Sequence, residues 1–150
     1  MIRTILVVSL LYTVSAFGQN HKYYMEDGFI AEGYDVVAYF SGEAIEGDSR
    51  YTASYDGATY QFKDKANLAA FKNNPDKYVP AFGGWCAYAV GANNEKVRID
   101  PETFTIQDGR LLLFYNFYFT NTLESWKEEN PKALLSKADQ NWKTLEHKAP

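Results

Sequence analysis

The chain predicts an α+β fold: a small antiparallel sheet built from two Asp-Gly hairpins, packed with several short helices that include two C-terminal ones. Three observations carry this. Two alternating apolar runs each turn on an Asp-Gly pair, at Asp56-Gly57 and Asp108-Gly109. Asn or Asp precedes several stretches with helical apolar spacing. The aromatic side chains, 12 Tyr, 10 Phe and 3 Trp, give a chain of 150 residues enough apolar area for one core.

In order, Met1 to Thr4 holds one positive charge, Ile5 to Val14 is mostly apolar, and Ala16-Phe17-Gly18 places small residues for cleavage. Residues 1–18 therefore read as a secretory signal peptide. The expected localisation is exported, periplasmic or secreted. The ten-residue apolar stretch is too short to span a bilayer comfortably, so no stable membrane insertion is expected after cleavage. Residues 19–31 read as an irregular N-terminal lead-in, and 32–146 as the domain itself.

Asp35 caps a helical turn with Val37, Ala38 and Phe40 inward, or Gly33 to Phe40 is a strand; eight residues leave both open. Arg50 to Lys63 is a hairpin, because both positions of a two-residue turn need positive φ. Its register pairs Tyr55 with Ala58, Ala53 with Tyr60 and Tyr51 with Phe62, all on one face. Asp64 caps a helix to about Lys72, with Leu68 and Phe71 inward. Asn74-Pro75 stops it and starts a further turn through Tyr78. After Gly83 to Val90 comes a polar loop, Gly91 to Lys96. The second hairpin sets Ile106 opposite Leu111 and Phe104 opposite Leu113. Its return strand is apolar on both faces and is placed centrally in the sheet. Asn121 with Glu124 resembles a capping box for the first C-terminal helix. Asn130-Pro131 opens the second, whose stripe is Leu135, Ala138, Trp142 and Leu145. Beyond the two Asp-Gly hairpins no internal repeat is visible.

Charge excludes one class of partner. Of 15 basic residues only Arg3 falls in the leader, leaving 14 against 19 acidic ones. A mildly acidic chain without a basic block offers no face for nucleic acid.

The chemistry centres on Gly83-Gly84-Trp85-Cys86-Ala87-Tyr88-Ala89-Val90, which holds the one cysteine of the chain. One cysteine forms no internal disulfide. Three readings stay open. Cys86 is a metal donor, with copper(I) the best match to a soft thiolate. It is a nucleophile or redox thiol, needing a base that only His21, His147 or a neighbour such as Lys96 or Arg98 supplies. Or it is a small side chain packed among aromatics. Trp85 and Tyr88, amphipathic and adjacent, are the candidate ligand-binding residues. The two glycines let the backbone turn sharply and approach another segment closely.

Taken together, Gly33 to Phe40, Tyr60-Gln61-Phe62, Phe71 to Tyr78, Gly83 to Ala89, Ile106 to Leu111 and Lys137 to Trp142 resemble the YHS domain in its stand-alone exported form. The resemblance spans about Glu32 to Leu145. It implies a small α+β domain of a kind found alone and beside metal-handling proteins such as heavy-metal transporters, with metal as the suspected ligand. Related metal-binding versions carry cysteines after the Tyr-x-Phe strand; Lys63, Asp64 and Asn67 stand there in this chain. The expectation is an exported, non-enzymatic binding domain with its site near Cys86. The alternatives are a thiol-dependent enzyme or redox protein, and a purely structural or interaction domain.

Overall fold

A computed structural model of the chain describes residues 21–150. The expected export signal over 1–18 lies outside the described residues. The fold is α+β, with small two-stranded antiparallel sheets and several short helices.

The chain enters through a hairpin, β1 (Met25–Glu26) and β2 (Phe29–Ile30), turning on Asp27-Gly28. The stretch read as an irregular lead-in is thus ordered structure where it is described. Tyr23, Tyr24, Ile30 and Ala31 are buried in the same core as everything that follows. Asp35 starts a 3₁₀ turn over Ala38–Ser41, the helical alternative of the two. The residues it buries most deeply are Val36, Ala38 and Tyr39; Val37 and Phe40 are half-buried.

β3 (Asp48–Tyr55) and β4 (Ala58–Phe62) form the first Asp-Gly hairpin, with Tyr55 opposite Ala58 and Ala53 opposite Tyr60. The expected pair Tyr51–Phe62 is not made. Residues 49–51 bulge out, and Asp48 takes the place opposite Phe62. α1 (Lys65–Asn73) is capped by the Asp64 carboxylate, which accepts from Asn67 N at 2.8 Å. α2 (Pro75–Tyr78) is a single turn. Residues 89–93 form a π-helical turn that takes in the start of the expected polar loop 91–96, and its Gly91 is buried against the last helix.

β5 (Asp100–Gln107) and β6 (Arg110–Phe114) make the second hairpin, with Ile106 opposite Leu111 and Phe104 opposite Leu113. β6 does not sit inside a larger sheet. Leu111 to Phe114 are buried on both faces because the glycine-rich segment covers one side. A small hairpin follows, β7 (Asn116–Phe117) and β8 (Thr120–Asn121). α3 (Thr122–Glu128) and α4 (Pro131–Leu145) close the chain, capped by Asn121 and Asn130. Glu124 pairs with Lys127 at 3.1 Å and does not complete a capping box. Leu135, Ala138 and Leu145 are buried as the stripe predicts, with Leu134 beside them.

These elements repeat. The cross-strand pairs of the first hairpin, from Asp48–Phe62 to Tyr55–Ala58, recur in the second from Asp100–Phe114 to Gln107–Arg110, each shifted by 52 positions, bulge included. Asp48 Oδ1 accepts from Arg50 N at 2.9 Å, and Asp100 Oδ1 from Glu102 N at 3.1 Å. Upstream of each hairpin lies a left-handed turn of three residues. The φ angles are 50°, 54° and 84° at Ala31-Glu32-Gly33, and 55°, 61° and 83° at Phe82-Gly83-Gly84. The turns close alike: Tyr34 N donates to Ala31 O at 2.9 Å, and Trp85 N to Phe82 O at 3.1 Å. Downstream, each hairpin leads to a side-chain-capped helix that ends before Asn-Pro. The domain is two halves of one plan around a shared core.

Candidate functional site

The repeat explains Cys86. Its counterpart in the first half is Asp35, for Asp35 N donates to Ile45 O at 2.8 Å and Cys86 N to Val97 O at 3.0 Å. Both side chains are fully buried hubs. The Asp35 carboxylate accepts from Val37 N (2.8 Å) and Ala38 N (3.2 Å) through Oδ1. Through Oδ2 it accepts from Lys63 N (2.9 Å) and Asn67 Nδ2 (2.7 Å). It thereby ties its turn to the end of β4 and the start of α1. The Cys86 sulfur does the same with weaker bonds: Tyr115 N donates to it at 3.4 Å, and Thr122 Oγ1 lies at 3.4 Å.

The Thr122 hydroxyl also donates to Tyr115 O at 2.9 Å, so Cys86, Tyr115 and Thr122 form one small buried network. An amide N–H is no ligand, and one hydroxyl is a poor partner for a soft ion, so this donor set does not fit a resident copper. Among the described residues, no group of three or more His, Cys, Asp or Glu is placed to hold a metal ion.

Trp85 and Tyr88 face different neighbours. Trp85 is buried; its indole Nε1 donates to Lys22 O at 3.2 Å and its ring meets Tyr24 at 5.1 Å. The Tyr24 amide donates to Gly83 O at 2.9 Å. The glycines therefore serve the close approach expected of them: the segment Lys22–Tyr24 lies directly on the Gly83 backbone. Tyr88 donates its hydroxyl to Glu129 Oε1 at 2.7 Å on the surface, and that bond raises its pKa. Lys96 sits over the rings of Trp85 (5.7 Å) and Trp142 (5.4 Å) and donates to His21 O and Lys148 O, both at 2.5 Å. It clasps the two ends of the described chain. Burial lowers its pKa.

Beside Gly83 a cleft of about 320 Å³ opens between the halves. Its walls include Phe82 and Trp142, whose rings lie 6.1 Å apart, with Lys22, Asp56, Asp76 and Arg110 around them. Lys22 Nζ meets Asp56 Oδ2 at 2.6 Å, and Tyr23 also donates its hydroxyl to that oxygen. Asp76 accepts from Tyr55 at 2.6 Å. The Arg110 guanidinium lies over Phe82 at 5.2 Å and pairs with Asp139 at 2.9 Å. Lys22 and Tyr23 hold the Asp56 pKa down, and Asp56 pushes the Lys22 pKa up. A larger hollow, about 380 Å³, lies between β3 and α1 and carries one charged side chain, Lys72. Sequence reasoning missed Asp35 as a hub and Lys22, Asp56 and Arg110 as cleft residues. Asp56 signals only a turn in the sequence, and Arg110, which follows the second Asp-Gly pair, carries no separate signal.

The Asp56 clasp makes the N-terminal segment acid-sensitive. A carboxyl whose folded pKa is depressed contributes stability above its unfolded value, about 3.9, and loses it as pH falls through the folded value. Below about pH 4 the segment 22–24 should loosen ahead of global unfolding. Amide exchange of Tyr23 and Tyr24 against pH measures this, and Asp56→Asn should flatten the acid limb. Because the pair is exposed, the effect is local.

Comparison of the chain with protein-family models, with curated proteins and with solved structures finds no match in any of the three.

Proposed function

We propose that the chain is an exported, non-enzymatic binding domain of the YHS type, which takes its small ligand in the cleft beside Gly83 and not at the Cys86 sulfur. The observation that carries this is the cleft's make-up. It joins two aromatic faces to charges of both signs in a volume suited to a small molecule, next to the glycine-rich segment. Binding is favoured over catalysis because Asp56 and Lys22 are driven apart in pKa. Neither is poised to move a proton near neutral pH. The full burial of the Cys86 side chain, in contact with Tyr115 N and Thr122 Oγ1, supports a packing role over a nucleophile. The chemistry of the walls selects a zwitterion with a flat apolar part.

The test titrates reduced mature protein with phenylalanine and Phe-containing dipeptides, following tryptophan fluorescence and Tm. Cu(I) and Zn(II) are run in parallel against a competing chelator. Saturable binding weakened about tenfold by Arg110→Gln and by Trp142→Leu is expected, a loss typical of one truncated polar or aromatic contact. Cys86→Ser should bind the same ligand equally. Stoichiometric Cu(I) binding that Cys86→Ser removes would instead establish the thiolate-donor reading. Rapid alkylation of Cys86 in the folded protein would establish thiol chemistry.

A further inference from the structure

Among the described residues, one buried side-chain oxygen has no hydrogen-bond partner, the Tyr60 hydroxyl. The residue is 1% exposed. Burying a hydroxyl unpaired costs stability that phenylalanine at the same place would keep. The fold does not ask for a phenol here. Tyr60 packs against Phe71, ring centres 4.6 Å apart, and Phe71 meets Phe62 at 5.0 Å. In the second half the matching position is Leu112: Tyr60 pairs with Ala53, and Leu112 with Thr105. Apolar bulk therefore suffices at this place in the plan. The comparably buried Tyr39 does find a partner, donating to Pro101 O at 2.7 Å.

The orphan lies behind the Gly83 cleft. The groups that act on it electrostatically are Tyr23, Asp56 and Tyr55, and all three line that cleft. Tyr60 itself does not line it, so its hydroxyl stands one layer deeper. Burial pushes its pKa up, and it keeps its proton to donate. In front of it Tyr23 donates a phenol O–H to the Asp56 carboxylate.

We infer that Tyr60 is a specificity residue of the cleft and that the ligand is an aromatic zwitterion with a hydroxyl on its ring, of the tyrosine class. This rests on the cleft being the binding site. Tyr23 already shows that Asp56 takes a phenol O–H at this spot. A ligand phenol that displaces Tyr23 remakes that bond, and its oxygen accepts from Tyr60 as well. The exchange is even at Asp56 and gains a hydrogen bond at Tyr60. A plain phenyl ring would leave both groups unpaired, which is how a polar site rejects a ligand that lacks a hydroxyl.

The test is calorimetric titration of the reduced mature protein with Gly-Tyr, Gly-Phe and the O-methyl ether of Gly-Tyr. Gly-Tyr should bind about ten- to a hundredfold more tightly than Gly-Phe, as one hydrogen bond to a charged group allows. The methyl ether, which cannot donate to Asp56, should lose that preference. In Tyr60→Phe, Gly-Tyr and Gly-Phe should bind within about threefold of each other, and Tm without ligand should not fall. Arg110→Gln should weaken both dipeptides alike. Equal binding of Gly-Tyr and Gly-Phe to the unaltered protein, or a preference that survives Tyr60→Phe, would overturn the assignment and leave the cleft standing. A lower Tm in Tyr60→Phe would also overturn it, by showing that the hydroxyl serves the fold, through a fixed water included. Binding of neither dipeptide would remove the cleft reading and this one with it.

Discussion

Gly83→Ala is expected to abolish the native packing of the N-terminal segment and to destabilise the domain by roughly 3 kcal/mol or more. A Cβ at Gly83 would stand 2.0 Å from the Lys22 carbonyl oxygen and 3.2 Å from the Trp142 ring. The obstacle is backbone, so no side chain can rotate away. The residue also sits at φ 61°. If the segment lifts, it takes with it the Tyr24–Gly83 and Trp85–Lys22 hydrogen bonds and the Lys96 bond to His21 O. Gly109→Ala is the control. Its φ is 75° but nothing lies within 4 Å of the added carbon, so only the backbone term of about 1 kcal/mol applies. Urea unfolding of the two variants separates contact from conformation. Equal losses would show that the approach of Lys22 to Gly83 matters little.

That contrast marks what a sequence reader can and cannot see. Asp-Gly announces a turn because both positions need positive φ, and alternation on either side then sets the register near it. The prediction held from the turn to Ala53–Tyr60 and Phe104–Leu113. It failed beyond, where a bulge puts Asp48 opposite Phe62, because a bulge needs no special residue and leaves no mark on the pattern. The caps Asp64, Asn121 and Asn130 were legible because a short polar side chain before an apolar period has few other uses. The same Asp-Gly signal stands at Asp27-Gly28, but the strands flanking it are two residues long and show no alternation.

The left-handed turns were half legible. Gly33, Gly83 and Gly84 announce positive φ; Ala31, Glu32 and Phe82 adopt it without any local preference, held there by their surroundings. Hence the repeat escaped notice. Little identity links the halves: chiefly Gly at 33 and 84, Asp at 48 and 100, the Asp-Gly turns, a phenylalanine at 62 and 114, and Asn-Pro at 74–75 and 130–131. What is shared is backbone conformation and hydrogen-bond pattern. The candidate site suffered likewise. Trp85, Cys86 and Tyr88 were chosen as neighbours in sequence, but each turns to a different element. The cleft instead draws on Lys22, Asp56, Arg110 and Trp142, which only the packing of the halves brings together.

Asp35→Ala carries the second large effect, a loss of roughly 3–5 kcal/mol, because removing a buried carboxylate strands every donor that it serves. Those donors are three backbone amides and the Asn67 side chain, at two ends of the first half. Asp35→Asn should fall between, at about 2 kcal/mol. Its oxygen still accepts from Val37 and Ala38, while its amide nitrogen faces two further donors. Cys86→Ala, at the matching place, should lose only about 1–2 kcal/mol, since the sulfur's hydrogen bonds are long and weak and much of its value is packing. Denaturant unfolding of the three variants ranks them. A loss from Cys86→Ala as large as that from Asp35→Ala would refute the equivalence of the two hubs as graded versions of one device. The reason for the grading lies in the neighbours. Four donors converge on residue 35, whereas one amide and one hydroxyl meet residue 86, so truncation at 86 strands fewer polar groups.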